Sequence, residues 1–343
     1  MNDSSELDPG KLANNLFAYL KLKNDYDVRS GLRKKVLVVE GSTDYAFFNR
    51  IARNDTRYIC ASDFMLRHMT MMSSRPPKPQ WEKNKAAIIK LIKHFFIQES
   101  LGLSPTGKDL PVFGLVDNDF DTDSQYLPYS KLFFTGTHDI ETLMLSTDQN
   151  LLSRIPDCTI SEEEIMRALY VAAQLSFFRQ AIHKAKIFDQ IRVTDAEGII
   201  QYASFTSDDR INLYKLLDYA NDNLEQPLSK SKMKKSKDQL SFELKKSIDK
   251  DGCWKKSFES FPASIDDDFW RKVNGHDILS AIRYINPSVH ERFSNRQRYK
   301  LNRDFELALS KSYDYRCFIQ TDLYSSLIKA ELIIPCGMVT ENR

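Results

Sequence analysis

Cysteine is sparse and shows no pairing pattern. Cys60, Cys158, Cys253, Cys317 and Cys336 are odd in number, and no two stand at C-x-x-C spacing. That argues against both a disulfide framework and a zinc knuckle. Long apolar runs are missing too, since none approaches the roughly 20 residues that a membrane span needs. Net charge is nearly absent: 49 Lys and Arg stand against 47 Asp and Glu, a balance of +2. Any basic surface for nucleic acid must therefore be local. The polar, acidic opening MNDSSELDPGKL is not expected to act as a signal peptide, which leaves the cytoplasm as the expected location. At 42% hydrophobic, the composition is not that of a disordered chain. The length of 343 residues favours two domains.

What is present reads as strands and helices in alternation. Lys11 to Leu22 (KLANNLFAYLKL) spaces its apolar residues as a helix does. Lys35 to Val39 (KVLVV) is a short β-branched run suited to a strand buried on both faces. It runs straight into Glu40-Gly41-Ser42-Thr43-Asp44 and the helically spaced YAFFNRIA, with Ser42 or Thr43 able to cap that helix. Tyr58 to Ala61 reads as a second short strand, Met69 to Pro79 as a loop, and Glu82 to Glu99 as a helix. Pro111 to Val116 (PVFGLV) is a third buried strand, ending in Asp117-Asn118-Asp119. Lys131 to Thr135 is a further strand and Asp139 to Leu145 a helix. This order predicts an α/β fold with a mostly parallel sheet behind an N-terminal helix. Past about residue 150 the pattern becomes mainly α-helical. Ser161 and Glu164 form a capping-box signature for a helix reaching about Gln190, a second helix covers Asp208 to Asp222, and more follow from Asp277. The expected division is a catalytic domain over 1–150 and a mainly helical, substrate- and partner-binding domain over 151–343.

In an open parallel sheet, ligands bind outside the carboxyl ends of the strands. Glu40 directly follows the first strand of this series, and Asp117 and Asp119 follow the third. Oxygen donors of this kind suit Mg2+ or Mn2+. A metal held there activates water and stabilises charge developing on a phosphoryl oxygen. Gly41 lets backbone or substrate approach closely. Each piece alone has a plainer explanation: Asp44 would complement a helix dipole, and a lone D-x-D is commonly a polar turn. Two buried strands, one ending in an EGxxD turn and the other in D-x-D, make a metal site the expectation.

The stretches Val38-Val39-Glu40-Gly41-Ser42-Thr43-Asp44 and Leu115-Val116-Asp117-Asn118-Asp119 resemble the two signature motifs of the Toprim (topoisomerase–primase) domain. That Rossmann-like α/β fold serves topoisomerases, primases, recombination factors and OLD-type nucleases. The chain looks most like a divergent bacterial branch encoded beside ABC/OLD-type ATPases in phage-defence operons. The resemblance covers mainly residues 33–150, with a weaker echo near 275. It implies that Glu40 is an acid/base or metal ligand and that Asp117 and Asp119 bind Mg2+ or Mn2+. The implied activity is cleavage of phosphodiester bonds in DNA or RNA, tRNA included. The branch also has an acidic helix after its last strand, here His138-Asp139-Ile140-Glu141, which adds Glu141 as a metal ligand. A distal Gly-His-Asp matches Gly275-His276-Asp277. Asp44, Asp121, His276 and Asp277 are accessory candidates, and Asp121 and Asp123 depart from the family pattern. The resemblance implies a toxic effector restrained by the neighbouring ATPase, and self-association is a further candidate. Two alternatives stand beside it. One is a non-catalytic metal-binding partner module of that ATPase. The other is a haloacid-dehalogenase-type phosphatase, whose D-x-D continues with Gly-Thr where this chain has Phe120-Asp121.

Two further patterns fail. Gly102 to Asp109 nearly spells a P-loop, but it ends in Asp where Ser or Thr must bind magnesium, and it lies between helix and strand in the wrong order. Asp117, Asp119, Asp121 and Asp123 start like an EF-hand, yet Thr122 replaces its glycine and Pro128 its closing glutamate. The most basic stretch, Lys230 to Lys237 (KSKMKKSK), offers Lys232, Lys234, Lys235 and Lys237 as a surface that tracks phosphates. Its plainer reading is a solvated loop.

Overall fold

The computed structural model describes residues 8–27, 31–32, 34–70, 84–103, 110–118, 129–184, 265–294 and 301–335, with four isolated positions between 239 and 246. The chain divides into two compact units, Met1–Gly136 with Tyr313–Arg343, and Thr137–Ser312. The expected helix over Asp208 to Asp222 lies outside the described residues.

The first unit opens with α1 (Pro9–Leu22), whose start is set by Asp8: its carboxylate accepts from Gly10 N and Lys11 N. Leu12, Leu16 and Leu20 form its buried stripe at successive turns. Two short antiparallel strands follow, β1 (Tyr26–Asp27) and β2 (Gly31–Leu32). Then come β3 (Lys35–Val39), α2 (Ser42–Asn49), β4 (Thr56–Cys60), α3 (Ala61–Thr70), α4 (Asn84–Ser100), β5 (Val112–Val116) and β6 (Leu132–Phe134). The last four strands form one all-parallel sheet in the order β4-β3-β5-β6. This is the α/β architecture that the strand–helix alternation predicts, with β1, β2 and α3 added; α3 takes in Ala61, expected as strand, and Met69 and Thr70, expected as loop.

Val36, Leu37, Val38 and Val39 are all fully buried. Both faces of β3 are therefore covered, which explains a run without polar alternation. Gly114 inside β5 has a packing reason. A Cβ there would stand 2.6 Å from Ile88 Cγ2 and 2.9 Å from Ile92 Cγ1, so glycine is what lets α4 seat against the sheet. Leu16, Leu20, Phe64, Leu91 and Ile92 join Val36, Val38 and Val112 in the core.

The second unit is helical throughout its described elements: α5 (Ile140–Thr147), α6 (Glu162–Lys184), α7 (Asp267–Lys272), α8 (Gly275–Ile285), α9 (Pro287–Ser294) and α10 (Leu301–Ser312), with a single 3-10 turn at Leu152–Arg154. The capping box at α6 forms as its sequence suggests, Ser161 N donating to Glu164 Oε2 at 2.8 Å and Glu164 N to Ser161 Oγ at 3.2 Å. α6 and α8 pack on each other. Asp277 of α8, fully buried, accepts from Arg179 Nε at 2.9 Å, from Arg179 Nη2 at 2.8 Å and from Ser176 Oγ at 3.2 Å.

The final segment returns to the first unit as a 3-10 turn (Tyr315–Gln320) and α11 (Asp322–Lys329). Phe47 of α2 packs its ring against Tyr313, Tyr315 and Phe318 at 5.2, 4.9 and 5.3 Å between centroids. Tyr315 Oη donates to Phe47 O at 2.6 Å and Tyr58 Oη to Leu332 O at 2.8 Å, and burial pushes the Tyr58 phenol well up. The C-terminal segment thus braces α2. Among the described residues no helix is long and apolar enough to cross a membrane.

Candidate functional site

The chain enters the parallel sheet at β3, steps to β4 on one side, then crosses back to β5 on the other. The winding direction reverses between β3 and β5. Such a reversal opens a crevice at the carboxyl ends of the two strands, where ligands of α/β sheets bind. Glu40 and Asp117 are the first residues after those strands, and both are partly exposed. Asp117 N donates to Glu40 Oε1 at 2.8 Å, so the Glu40 carboxylate is held across the end of β5. One position further, Asn118 N donates to Thr135 Oγ1 at 3.3 Å, just past β6.

The turn that carries Glu40 is fixed from several elements. Asn84, at the start of α4, donates to Glu40 O at 2.9 Å, and Cys60, ending β4, donates to Gly41 O at 3.3 Å. Gly41 N donates to Asp44 Oδ2 at 2.8 Å. The cap position of α2 belongs to Gly41 rather than to Ser42 or Thr43, because the helix begins at Ser42. Asp44 is buried in the first helical turn, where its charge also suits the amides of the helix start. It serves the turn. Asp119, Asp121 and Asp123 lie outside the described residues, as do Lys232, Lys234, Lys235 and Lys237.

The other candidates fall in the second unit. Glu141 stands in the first turn of α5 and His276 in the first turn of α8, and both meet Glu306 of α10: one ligand atom of each lies within 4.8 Å of the others. His276 Nδ1 is 2.9 Å from Glu306 Oε1. Glu141 and Glu306 are buried, whereas the His276 side chain is 51% exposed. Desolvation opposes a charged ring here. The charges of Glu306 and Glu141, the bond to Glu306 and the charge of Asp139 outweigh it, and together they hold His276 well above its ordinary value.

Gly275 explains how these groups come so close. A Cβ there would stand 2.4 Å from Asp139 Oδ1 and 2.5 Å from Glu141 Cβ. Without it, the start of α8 presses onto the start of α5, and Gly275 N donates to Asp139 Oδ2 at 2.7 Å. Asp139 caps α5 by accepting from Thr142 N at 2.8 Å, and lies 3.1 Å from His138 Nδ1. Burial raises the Asp139 carboxyl, yet the bond and charge of His138, the charge of His276 and the Thr142 amide draw it well below its ordinary value. The Gly-His-Asp motif therefore divides its labour. Gly275 permits close approach, His276 joins the cluster, and Asp277 ties α8 to α6.

Glu306 escaped sequence reasoning. It shares a buried helix face with Phe305, Leu309 and Ser310, and an acid on such a face is the one signal that could have marked it. Asn84, Cys60 and Thr135 carry no local signal at all, because their roles exist only through contacts distant in sequence. In comparisons with known proteins, no family model, no curated protein and no solved structure matches the chain.

Proposed function

We propose that this chain is a metal-dependent nuclease of the Toprim type that hydrolyses phosphodiester bonds in DNA or RNA, with Glu40, Asp117 and Asp119 as its catalytic acids. The observation that carries the reading is the meeting of Glu40 and Asp117 at the reversal point of a parallel sheet. The donor set fits the group it requires, since carboxylates at strand ends suit Mg2+ or Mn2+. When bound, such an ion supplies Lewis-acid stabilisation of the phosphoryl oxygen and an activated water. The residues of the chain supply position. Asn84, Cys60 and Asp44 hold the turn, and the Asp117 amide holds the Glu40 carboxylate, so Glu40 stands in a turn fixed from several elements.

The motif resemblance supports the same reading and extends it: a cytoplasmic antiviral effector, kept in check by an ABC/OLD-type ATPase encoded nearby. In this reading the lysines from Lys232 to Lys237 follow the phosphate backbone of the substrate without reading its bases. The test is cleavage of single- and double-stranded DNA and of RNA, tRNA included, with Mg2+ or Mn2+. Cleavage should vanish in Glu40→Gln and in Asp117→Asn, each with unchanged circular dichroism. Replacing Lys232, Lys234, Lys235 and Lys237 by Gln should flatten the salt dependence of binding by up to about 3 in log–log slope on single strands and up to about 4 on duplex DNA. A well-folded Glu40→Gln protein that cleaves at the parent rate overturns the assignment.

A further inference from the structure

We infer that the helical unit holds a binding site for a divalent transition-metal ion, with Glu141, His276 and Glu306 as its protein ligands. The inference does not rest on the nuclease reading, and it places Glu141 in a different ligand set from Glu40, Asp117 and Asp119.

Geometry comes first. Two donor atoms bonded to one ion at about 2.0–2.3 Å stand roughly 3–4.5 Å apart. The three donors here all lie within 4.8 Å of one another, so small side-chain shifts bring them onto a common ion. The ligands rise from α5, α8 and α10, three helices rather than loops, which limits how far the set can spread. Gly275 keeps the starts of α5 and α8 together, and Asp139 joins them by accepting from Gly275 N and Thr142 N. Groups of that kind, one step behind the ligands, fix the orientation of a metal site.

The donor chemistry selects the ion. One imidazole nitrogen with two carboxylate oxygens suits Mn2+, Fe2+ or Zn2+. Mg2+ prefers oxygen alone and keeps several of its waters, so it fits this set less well. Buried Glu141 and Glu306 form the floor, while half-exposed His276 stands at the surface. That arrangement gives an ion a way in and leaves coordination positions for water.

Mn2+ alone is the probe, added to the full chain carrying Glu40→Gln and Asp117→Asn so that the sheet edge cannot supply the signal. Electron paramagnetic resonance should count one bound ion per chain, and its pulsed form should show coupling to one imidazole nitrogen. Zn2+ should displace that ion, and Mg2+ at equal concentration should not. His276→Asn, a change at a half-exposed side chain, should remove the nitrogen coupling and weaken binding by at least about tenfold. Glu306→Gln, which preserves side-chain volume, should weaken it by a similar factor. Three results would overturn the inference: no uptake by the folded double variant, uptake without nitrogen coupling, or uptake that His276→Asn leaves unchanged. None of these touches the nuclease reading, which is tested by cleavage. Uptake by the double variant, together with a parent chain that cleaves no DNA or RNA, would support the metal site while removing the nuclease assignment.

Discussion

The sheet edge of the first unit and the helical cluster of the second are built from the same kinds of side chain, yet they are held in opposite ways. Glu40 and Asp117 are partly exposed, stand at strand ends, and are positioned by backbone groups: the Asp117 amide, and the carbonyls of Glu40 and Gly41 gripped by Asn84 and Cys60. Glu141 and Glu306 are buried on helices, where a neighbouring side chain or a glycine decides their geometry. A site placed by the backbone tolerates a changed charge so long as an acceptor remains. A site placed by packing does not tolerate a change of volume.

The largest expected effect separates chemistry from scaffolding at the sheet edge. Glu40→Gln keeps an oxygen that can accept from Asp117 N, so the melting temperature should hardly move while cleavage falls by roughly 10²–10⁴-fold. Glu40→Ala removes that acceptor and should cost about 1 kcal/mol as well. Equal losses of stability in the two variants would make Glu40 a structural residue and break the contrast. In the second unit the counterpart is Asp277→Ala. It removes the buried acceptor that Arg179 and Ser176 share and should cost about 1–3 kcal/mol in urea unfolding. A loss below about 1 kcal/mol would mean that α6 and α8 are held by apolar packing alone.

Gly275 and Gly41 differ in the same way. Gly275→Ala drives a Cβ into Asp139 and Glu141 and should destabilise by about 1–3 kcal/mol. Gly41→Ala meets only Asp44 Oδ2, at an ordinary 3.4 Å, and should cost less than about 1 kcal/mol. Equal costs would show that backbone and packing constrain the two sites alike. The smallest effect belongs to the cap of α6. The Ser161 amide, against some burial and with help from the Ser161 hydroxyl, Asn286 and Arg167, holds the Glu164 carboxyl below its ordinary value. A carboxyl lowered by folding adds stability above its unfolded pKa, about 4.3, and loses it as pH falls through the lower folded value. Urea midpoints of the parent and Glu164→Gln should therefore differ at pH 7 and converge as pH drops below about 4.

The buried strands were legible because β-branched runs such as KVLVV have one comfortable environment, the middle of a parallel sheet. Helix starts were legible where a side chain caps its own backbone three residues on, as Ser161 and Glu164 do. The same rule placed the cap of α2 one or two residues late, at Ser42 or Thr43, because Asp44 reaches back to Gly41 N and a glycine has no side chain to announce it. The acids after β3 and β5 could be named from sequence, since each follows its strand without a break. That the two strands are neighbours is a matter of sheet order, which no local pattern carries.

Residue periodicity and turn chemistry thus determined, by themselves, which stretches become strands and helices and which acids end them, because those preferences act over a few residues. Tertiary structure alone decided that Tyr313–Arg343 joins the sheet unit, where Tyr315 and Phe318 cover Phe47. It alone brought Glu306 to Glu141 and His276. Both outcomes come from burial between segments far apart in the chain, and burial is a property of the packed surface rather than of any short run of residues.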